Sequence, residues 1–316
     1  EADLGEVTMS HLPHIDVGVR PEADRPRRRA PLVLAGILAG VVLAVVWSFE
    51  LVDGVIGDNV ANSLLGYEAK EASIASTSAG LVFAFITGLA GTFPACNIAV
   101  FGALPKLADA QRPGRGAVGA VIGALGWFTL GLLVVSISYG VIGVLLGERL
   151  PQLSTDMIGE VPVRLLQSSV VFGLIGLAFA YLGLAALRVV PDPFAHRPRL
   201  RLAVLGGLVG GFLVGRPYPL FRRLFEHAVD TGNPFYGALA FLLQSVGNVL
   251  LVAVLAVLVV AISRGAALRW LSENPARASA IAGVALLALG VFMVVYWDVR
   301  VPAMFGFGWF PTMPWN

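Results

Sequence analysis

The stretch GTFPACNIAVFGALP, Gly91 to Pro105, decides how the rest of the chain is read. It lies inside a long apolar run, yet it holds two prolines, an asparagine and the single cysteine of the sequence. Proline cannot close the helical hydrogen-bond ladder, so the stretch predicts a helix broken part-way along its length. A broken helix in apolar surroundings is tolerated only where protein or a water-filled cavity satisfies the freed backbone.

The surroundings are apolar on every count. Of 316 residues 57% are hydrophobic and 13% charged, against roughly a quarter charged in an ordinary soluble domain. Apolar runs long enough to cross about 30 Å of hydrocarbon recur after residue 30. The fold class expected is all-α: a polytopic membrane protein with seven spans at 31–52, 79–104 with a break, 117–146, 165–189, 202–229 with a break, 235–262 and 279–297. Cationic side chains gather in alternate connecting segments. Fifteen of the 22 Lys and Arg residues fall on the side of the N-terminal tail and six on the other, with Arg216 inside a span. By the positive-inside rule this places the N-terminus in the cytoplasm and the C-terminus outside, in a bacterial-type plasma membrane. Residues 1–30 read as a polar cytoplasmic tail, 31–52 as an additional helix and 298–316 as an outer aromatic tail. The tail's composition does not match a cleaved signal peptide.

Residues 79–189 and 202–297 repeat one order of events: an apolar half-span, a proline-rich break, a second half-helix, a long span led by glycine, a short polar loop and a small-residue-rich span. Each copy has three spans, so the two are expected to lie in opposite orientation, with any site where their breaks meet near the midplane. The second break is LVGRPYPLFRRLFEHAVDTG, Leu213 to Gly232.

Several residues at these breaks are candidates for chemistry. Cys96, two residues after Pro94, sits where a second half-helix would start, and a helix N-terminus favours a thiolate. The alternative is a small buried hydrophobe. A single cysteine forms no disulfide within the chain, so thiol chemistry would require a partner's thiol. Asn97 and Pro105 complete the first motif; Arg216, Pro217, Tyr218 and Pro219 form the second. Arg216 is the ionisable group expected within a span, a functional candidate unless it snorkels or has a local partner. Arg222, Arg223, Glu226 and His227 follow at helical spacing and read as a surface ion-pair cluster or a polar site. Gln244, Ser245 and Asn248, with Ser136, Ser138 and Tyr139, read as interhelical hydrogen-bond glue or as contacts to a ligand headgroup. No His or Cys pair has ligand spacing, and no metal site or cofactor is assigned. Nucleotide loops, hydrolytic triads and basic–aromatic patches for nucleic acid are missing from the sequence, so no independent enzyme activity is expected.

On these two breaks, over about residues 79–297, the chain resembles the transmembrane family of the cytochrome c biogenesis protein CcdA and the membrane domain of the thiol–disulfide interchange protein DsbD. That resemblance implies a proline-flanked cysteine in the first helix of each repeat, with the pair passing reducing equivalents outward from cytoplasmic thioredoxin. FITGLAGTFPACNIAVFGALP matches the first motif, Cys96 taking the cysteine position. Where the second cysteine would stand, this sequence has Pro217–Tyr218–Pro219, so the intramolecular dithiol shuttle is lost. The chain therefore looks similar to a non-shuttling branch that includes maturation proteins of methylamine utilisation. The expected function is a membrane scaffold supporting maturation, assembly or redox state of a periplasmic or membrane partner. Electron transfer through Cys96 and a partner's thiol, small-solute transport and a structural role in a larger complex are the alternatives. The partners expected are lipid and another protein.

Overall fold

The computed structural model describes residues 29–91, 117–159, 161–263, 266, 270 and 273–315. Pro94, Cys96, Asn97 and Pro105 lie outside the described residues. The chain is predominantly helical. Helices are numbered α1 (Ala30–Val46), α2 (Asp58–Leu65), α3 (Thr77–Ala90), α4 (Ala117–Leu146), α5 (Val163–Ala186), α6 (Pro198–Gly215), α7 (Pro219–Asp230), α8 (Pro234–Ile262), α9 (Pro275–Val294) and α10 (Val301–Met304). Stretches of π-helix precede α2 (Glu50–Gly57) and α10 (Val295–Arg300).

Among the described residues, five helices are long and apolar enough to cross a membrane, or six if α1 and Glu50–Leu65 count as one bent span. This is the architecture of a multi-pass membrane protein. The 14 residues described in α3 are too few to cross alone. The polar loop after α4 contains one small departure from an all-helical chain, a two-by-two-residue hairpin pairing Met157 with Pro162 and Ile158 with Val161 (β1 and β2).

Small residues set the helix packing, because without a Cβ two backbones approach until main chain meets main chain. At Gly88 a Cβ would strike the Gln244 carbonyl, and at Gly247 the Phe85 carbonyl, which seats α3 on α8. Gly131 and Gly206 are closed in the same way by Ala203 and Phe128, which seats α4 on α6. Tyr236 at the start of α8 donates to the Thr77 carbonyl at the start of α3 at 3.2 Å, so these two helices run parallel. In α4 and α6, Phe128 lies by Gly206 and Leu132 by Gly210, again a parallel pair. By contrast Gly140 of α4 meets Gly237 of α8 while Ser136 accepts from Ser245 at 2.6 Å, an antiparallel pair. In α5 and α9, Gly183 faces Gly283 and Gly176 faces Gly290, also antiparallel.

Two apolar clusters fill the interior. One joins α1, α4, α5, α6 and α9 around Phe172, Phe179, Phe212 and Trp297. The other surrounds α7 with Phe83, Tyr218, Phe221, Phe225 and Phe241. The C-terminal tail folds back rather than hanging free: Trp315 donates its indole N–H to the Val46 carbonyl at 3.2 Å and accepts from Ser48 at 3.1 Å. Arg300 donates to the carbonyls of Ala44 and Trp47, both at 2.7 Å, and so caps the end of α1.

The first helix corrects the sequence-based expectation. The sequence places a span over 31–52 and an outer connecting segment after it. The helix stops at Val46, the chain bends by 62°, and a second helical segment runs from Glu50 to Leu65. Its end is fixed by Gly66, whose φ of 78° is the left-handed value that glycine adopts without a Cβ penalty.

Replacing Gly206 by valine, which puts two methyl groups against the Phe128 carbonyl, is expected to lower the Tm in detergent by many degrees and to reduce the monodisperse fraction. Gly123→Val, at a position where a Cβ would meet no atom of the described residues within 4 Å, is expected to change neither. Thermal unfolding followed by size-exclusion chromatography measures both.

Candidate functional site at the second break

Two prolines two residues apart make the break between α6 and α7. A residue before proline is pushed out of the helical region, and Arg216 (ψ 130°) and Tyr218 (ψ 129°) both take extended backbone. Pro219 has no N–H to give back to the Gly215 carbonyl four residues earlier. That carbonyl accepts instead from the Gln152 side-chain amide at 3.2 Å, with the Ser168 hydroxyl at 3.4 Å. The break thus has a built replacement for the bond its prolines remove. Below it, α7 starts at Pro219 with its first apolar face, Leu220, Phe221, Leu224 and Phe225, fully buried.

The charged partners come from the segment that the sequence led one to expect as a loop. Asp53, 4% exposed, forms an ion pair with Nη2 of Arg216, itself 4% exposed. Asp58, five residues on, accepts from the Tyr218 hydroxyl at 3.1 Å and pairs with Lys70. The π-helix explains why one short segment reaches both. Its hydrogen bonds span five residues, so residues i and i+5 fall near one another on one side, whereas an α-helix would turn them well apart. Gly57 lies between the two acids, and a Cβ there would stand 2.8 Å from the Tyr218 hydroxyl oxygen. Farther along, Arg223 donates to the Ala72 carbonyl at 3.0 Å. The segment Glu50–Leu65 and the turn after it are therefore stitched to both sides of the break.

Arg216 is placed over aromatic rings as well. Its guanidinium carbon is 5.2 Å from the Tyr218 ring centre and 5.9 Å from that of Phe221. Ring faces attract a cation, the more strongly where water is excluded. Its Nη1 is buried and has no hydrogen-bond partner.

The remaining candidates divide between neighbours of this site and separate groups. Arg222 donates to Glu226 at 2.7 Å on the partly exposed side of α7, the i, i+4 surface pair that the spacing predicted. Arg223 does not join it and turns to Ala72. His227 stacks edge-on against Tyr236, with ring centres 5.7 Å apart, and its Nε2 has no partner. Gln244 and Asn248 sit on α8, away from the second break, where α8 meets α3 and α4. Gln244 is wholly buried with both amide atoms unpartnered. Ser136 and Ser245 form the interhelical bond expected of such groups. Tyr139 packs on Phe225 and Phe241 with its hydroxyl unpartnered. Among the described residues no group of three or more His, Cys, Asp or Glu could hold a metal ion.

Sequence reasoning singled out Arg216, Pro217, Tyr218 and Pro219 but missed Asp53, Asp58 and Gln152. A signal for the acids was present: two carboxylates five residues apart in the apolar run FELVDGVIGDNVANSLL, with one arginine in a span needing a counter-charge. Comparison of the chain with protein-family models, curated proteins and solved structures finds no match.

A buried ion pair broken on one side leaves an uncompensated charge, at a cost of about 3–5 kcal/mol, while replacing both partners by apolar groups is often neutral. Asp53→Asn and Arg216→Met singly are thus expected to destabilise the protein strongly. The double change Asp53→Leu with Arg216→Met is expected to recover most of the loss. Tyr218→Phe, which removes one hydrogen bond, is expected to cost about 1 kcal/mol. Reversible unfolding in mixed micelles compares the four variants.

Proposed function

We propose that the chain is a CcdA-like membrane scaffold that supports maturation, assembly or redox state of a periplasmic or membrane partner protein. The observation that carries this reading is what fills the second break. A dithiol carrier needs a reactive, approachable thiol there; this chain has a buried pairing of Arg216 with Asp53 and of Tyr218 with Asp58. On this reading the break is kept as architecture, with a buried polar joint where the redox pair would stand. An electron route through Cys96 would need a thiol from another chain, since the sequence has no second cysteine.

The reading takes the bundle as seven passes with two inverted three-helix repeats, and the packing supports both. Contacts of α1 with α9, α3 with α8, and α4 with α6 are parallel, while α4 with α8 and α5 with α9 are antiparallel. Taken with the antiparallel approach of α5 to α6, where Ser168 reaches Gly215 and Arg201 reaches Leu182, these directions alternate along the chain. A two-fold relation also appears in the register. A shift of 118 residues carries Phe85 and Gly88 of α3 onto Ala203 and Gly206 of α6, and one of 116 carries Phe128 and Gly131 of α4 onto Gln244 and Gly247 of α8. The α3–α8 contacts then reproduce the α4–α6 contacts pair for pair. This register differs by five residues from the motif alignment, which sets Pro94 against Pro217. By the helix register the counterpart of Cys96 is Val214, and by the motif it is the Pro217–Tyr218–Pro219 segment; neither offers a thiol. With alternating passes, the excess of Lys and Arg in the connections 105–116, 188–201 and 263–277 supports an N-terminus in the cytoplasm of a bacterial-type cell.

Purification from native membranes in mild detergent, followed by mass spectrometry of intact complexes, tests the proposal. A stoichiometric membrane or periplasmic partner is expected, with partner maturation unchanged by Cys96→Ser. A chain that purifies alone, and whose deletion leaves every exported protein normally matured, would contradict it. Recovery of a mixed disulfide at Cys96 would instead move the function to electron transfer.

A further inference from the structure

We propose that the second break is a carboxylate-binding site kept closed by its own chain. Asp53 is its resident ligand, and a carboxylate from outside takes that place when the segment Glu50–Leu65 swings away. This goes beyond the scaffold reading, because it holds whether the incoming carboxylate belongs to a small acid or to an acidic side chain of a protein.

Three features of the site carry the inference. The first is a half-used binding group. Arg216 is 4% exposed and engages Asp53 through Nη2 alone, while Nη1 is buried and unpartnered. A guanidinium presents a planar fork that a carboxylate fits with two parallel hydrogen bonds. The resident side chain leaves Nη1 unused, so an untethered carboxylate could engage both Nη1 and Nη2. The second is the setting of that group. Arg216 follows the last turn of α6, three residues before α7 begins, and its guanidinium lies over the rings of Tyr218, the N-cap of α7, and Phe221 in the first turn of α7, where the helix dipole favours an anion.

The third is the construction of the cover. Glu50–Leu65 is bounded by two joints, the 62° bend after α1 and the left-handed turn at Gly66. At the break itself its contacts are polar, Asp53 to Arg216 and Asp58 to Tyr218, with Arg223 binding the turn beyond at Ala72, while farther along Ala61, Val60 and Leu65 pack on the apolar cluster around α7. A permanent plug in apolar surroundings is better served by close-packed hydrophobic side chains, since a buried ion pair seldom outstabilises them. Ionic contacts have the property that a hydrophobic seam lacks: both partners are readily solvated or re-paired once apart. An exchangeable closure is what this composition suits.

The test uses the full chain in nanodiscs, carrying Cys96→Ser so that one introduced thiol reports on the segment. Ala61→Cys, at a fully buried position of α2, is the first reporter, and Ile56→Cys serves if that variant does not fold. Labelling by a membrane-impermeant maleimide is followed in sodium chloride, in sodium acetate and in polyglutamate at equal carboxylate concentration. Labelling is expected to be slow in chloride and several-fold faster with a carboxylate. Acceleration by acetate would identify a site open to small acids; acceleration by polyglutamate alone would identify one that takes acidic side chains. The double change Asp53→Leu with Arg216→Met, which keeps the fold but removes the binding group, should remove the difference between anions. Equal rates in all three anions in the parent, or a double variant that still responds to carboxylate, would overturn the proposal.

Discussion

A guanidinium buried in apolar surroundings must have a negative partner, and in this protein that requirement organises everything around the second break. Arg216 stands where two prolines have opened a helix, too deep for its own length to reach water at 4% exposure. The nearest acids in sequence, Glu226 and Asp230, lie beyond a helix whose inner face is given to leucine and phenylalanine. The partner therefore comes from far away, across 163 positions, on a segment bent out of the first helix. The bend, the π-helical winding that sets Asp53 and Asp58 on one side, and the absence of a side chain at Gly57 all follow from delivering those two carboxylates to one place.

The broken backbone obeys the same rule as the charge. Each proline frees a carbonyl that hydrocarbon will not satisfy. Gly215 finds Gln152 and Ser168, which are brought within reach by the loop after α4 and the first turns of α5. At the end of α1 Arg300 does the same for the carbonyls of Ala44 and Trp47. Glycine against backbone carbonyl at α3–α8 and α4–α6 gives close packing without polar groups, and the single hydroxyl pair between Ser136 and Ser245 adds one directional tie. At the second break Asp53, Asp58, Gln152, Ser168 and Arg216 are buried together, while Thr87, Ser136, Gln244, Ser245 and Asn248 are buried within the helices α3, α4 and α8.

Much of this was legible from composition and punctuation. The long apolar runs, with proline at their breaks and arginine between them, mark out the helices α4 through α9 to within a few residues, because hydrophobic length and proline act locally. Arg216 and Tyr218 were visible as anomalies for the same reason. Asp53 and Asp58 were not. They stand near Glu50, Glu68 and Glu71, in a segment whose charge reads as a solvated loop, and the apolar run around them shows only in combination with the need of a distant arginine for a counter-charge. The π-helix is equally silent in sequence. Winding by one extra residue per turn is a response to tertiary contacts, here to a break more than 150 residues away. Gln244 illustrates the converse: its polarity reads as interhelical glue or a ligand contact, yet among the described residues its buried amide has no hydrogen-bond partner.

Hydrogen exchange of residues 50–65 in nanodiscs tests most directly whether this segment is the counterpart of the break. Docked through Asp53 and Asp58, its amides should exchange slowly in the parent chain, and faster when Arg216 is replaced by glutamine. Rapid exchange in the parent chain, unaltered by the loss of Arg216, would mean that the segment lies free in the interface and that the buried arginine is satisfied in some other way.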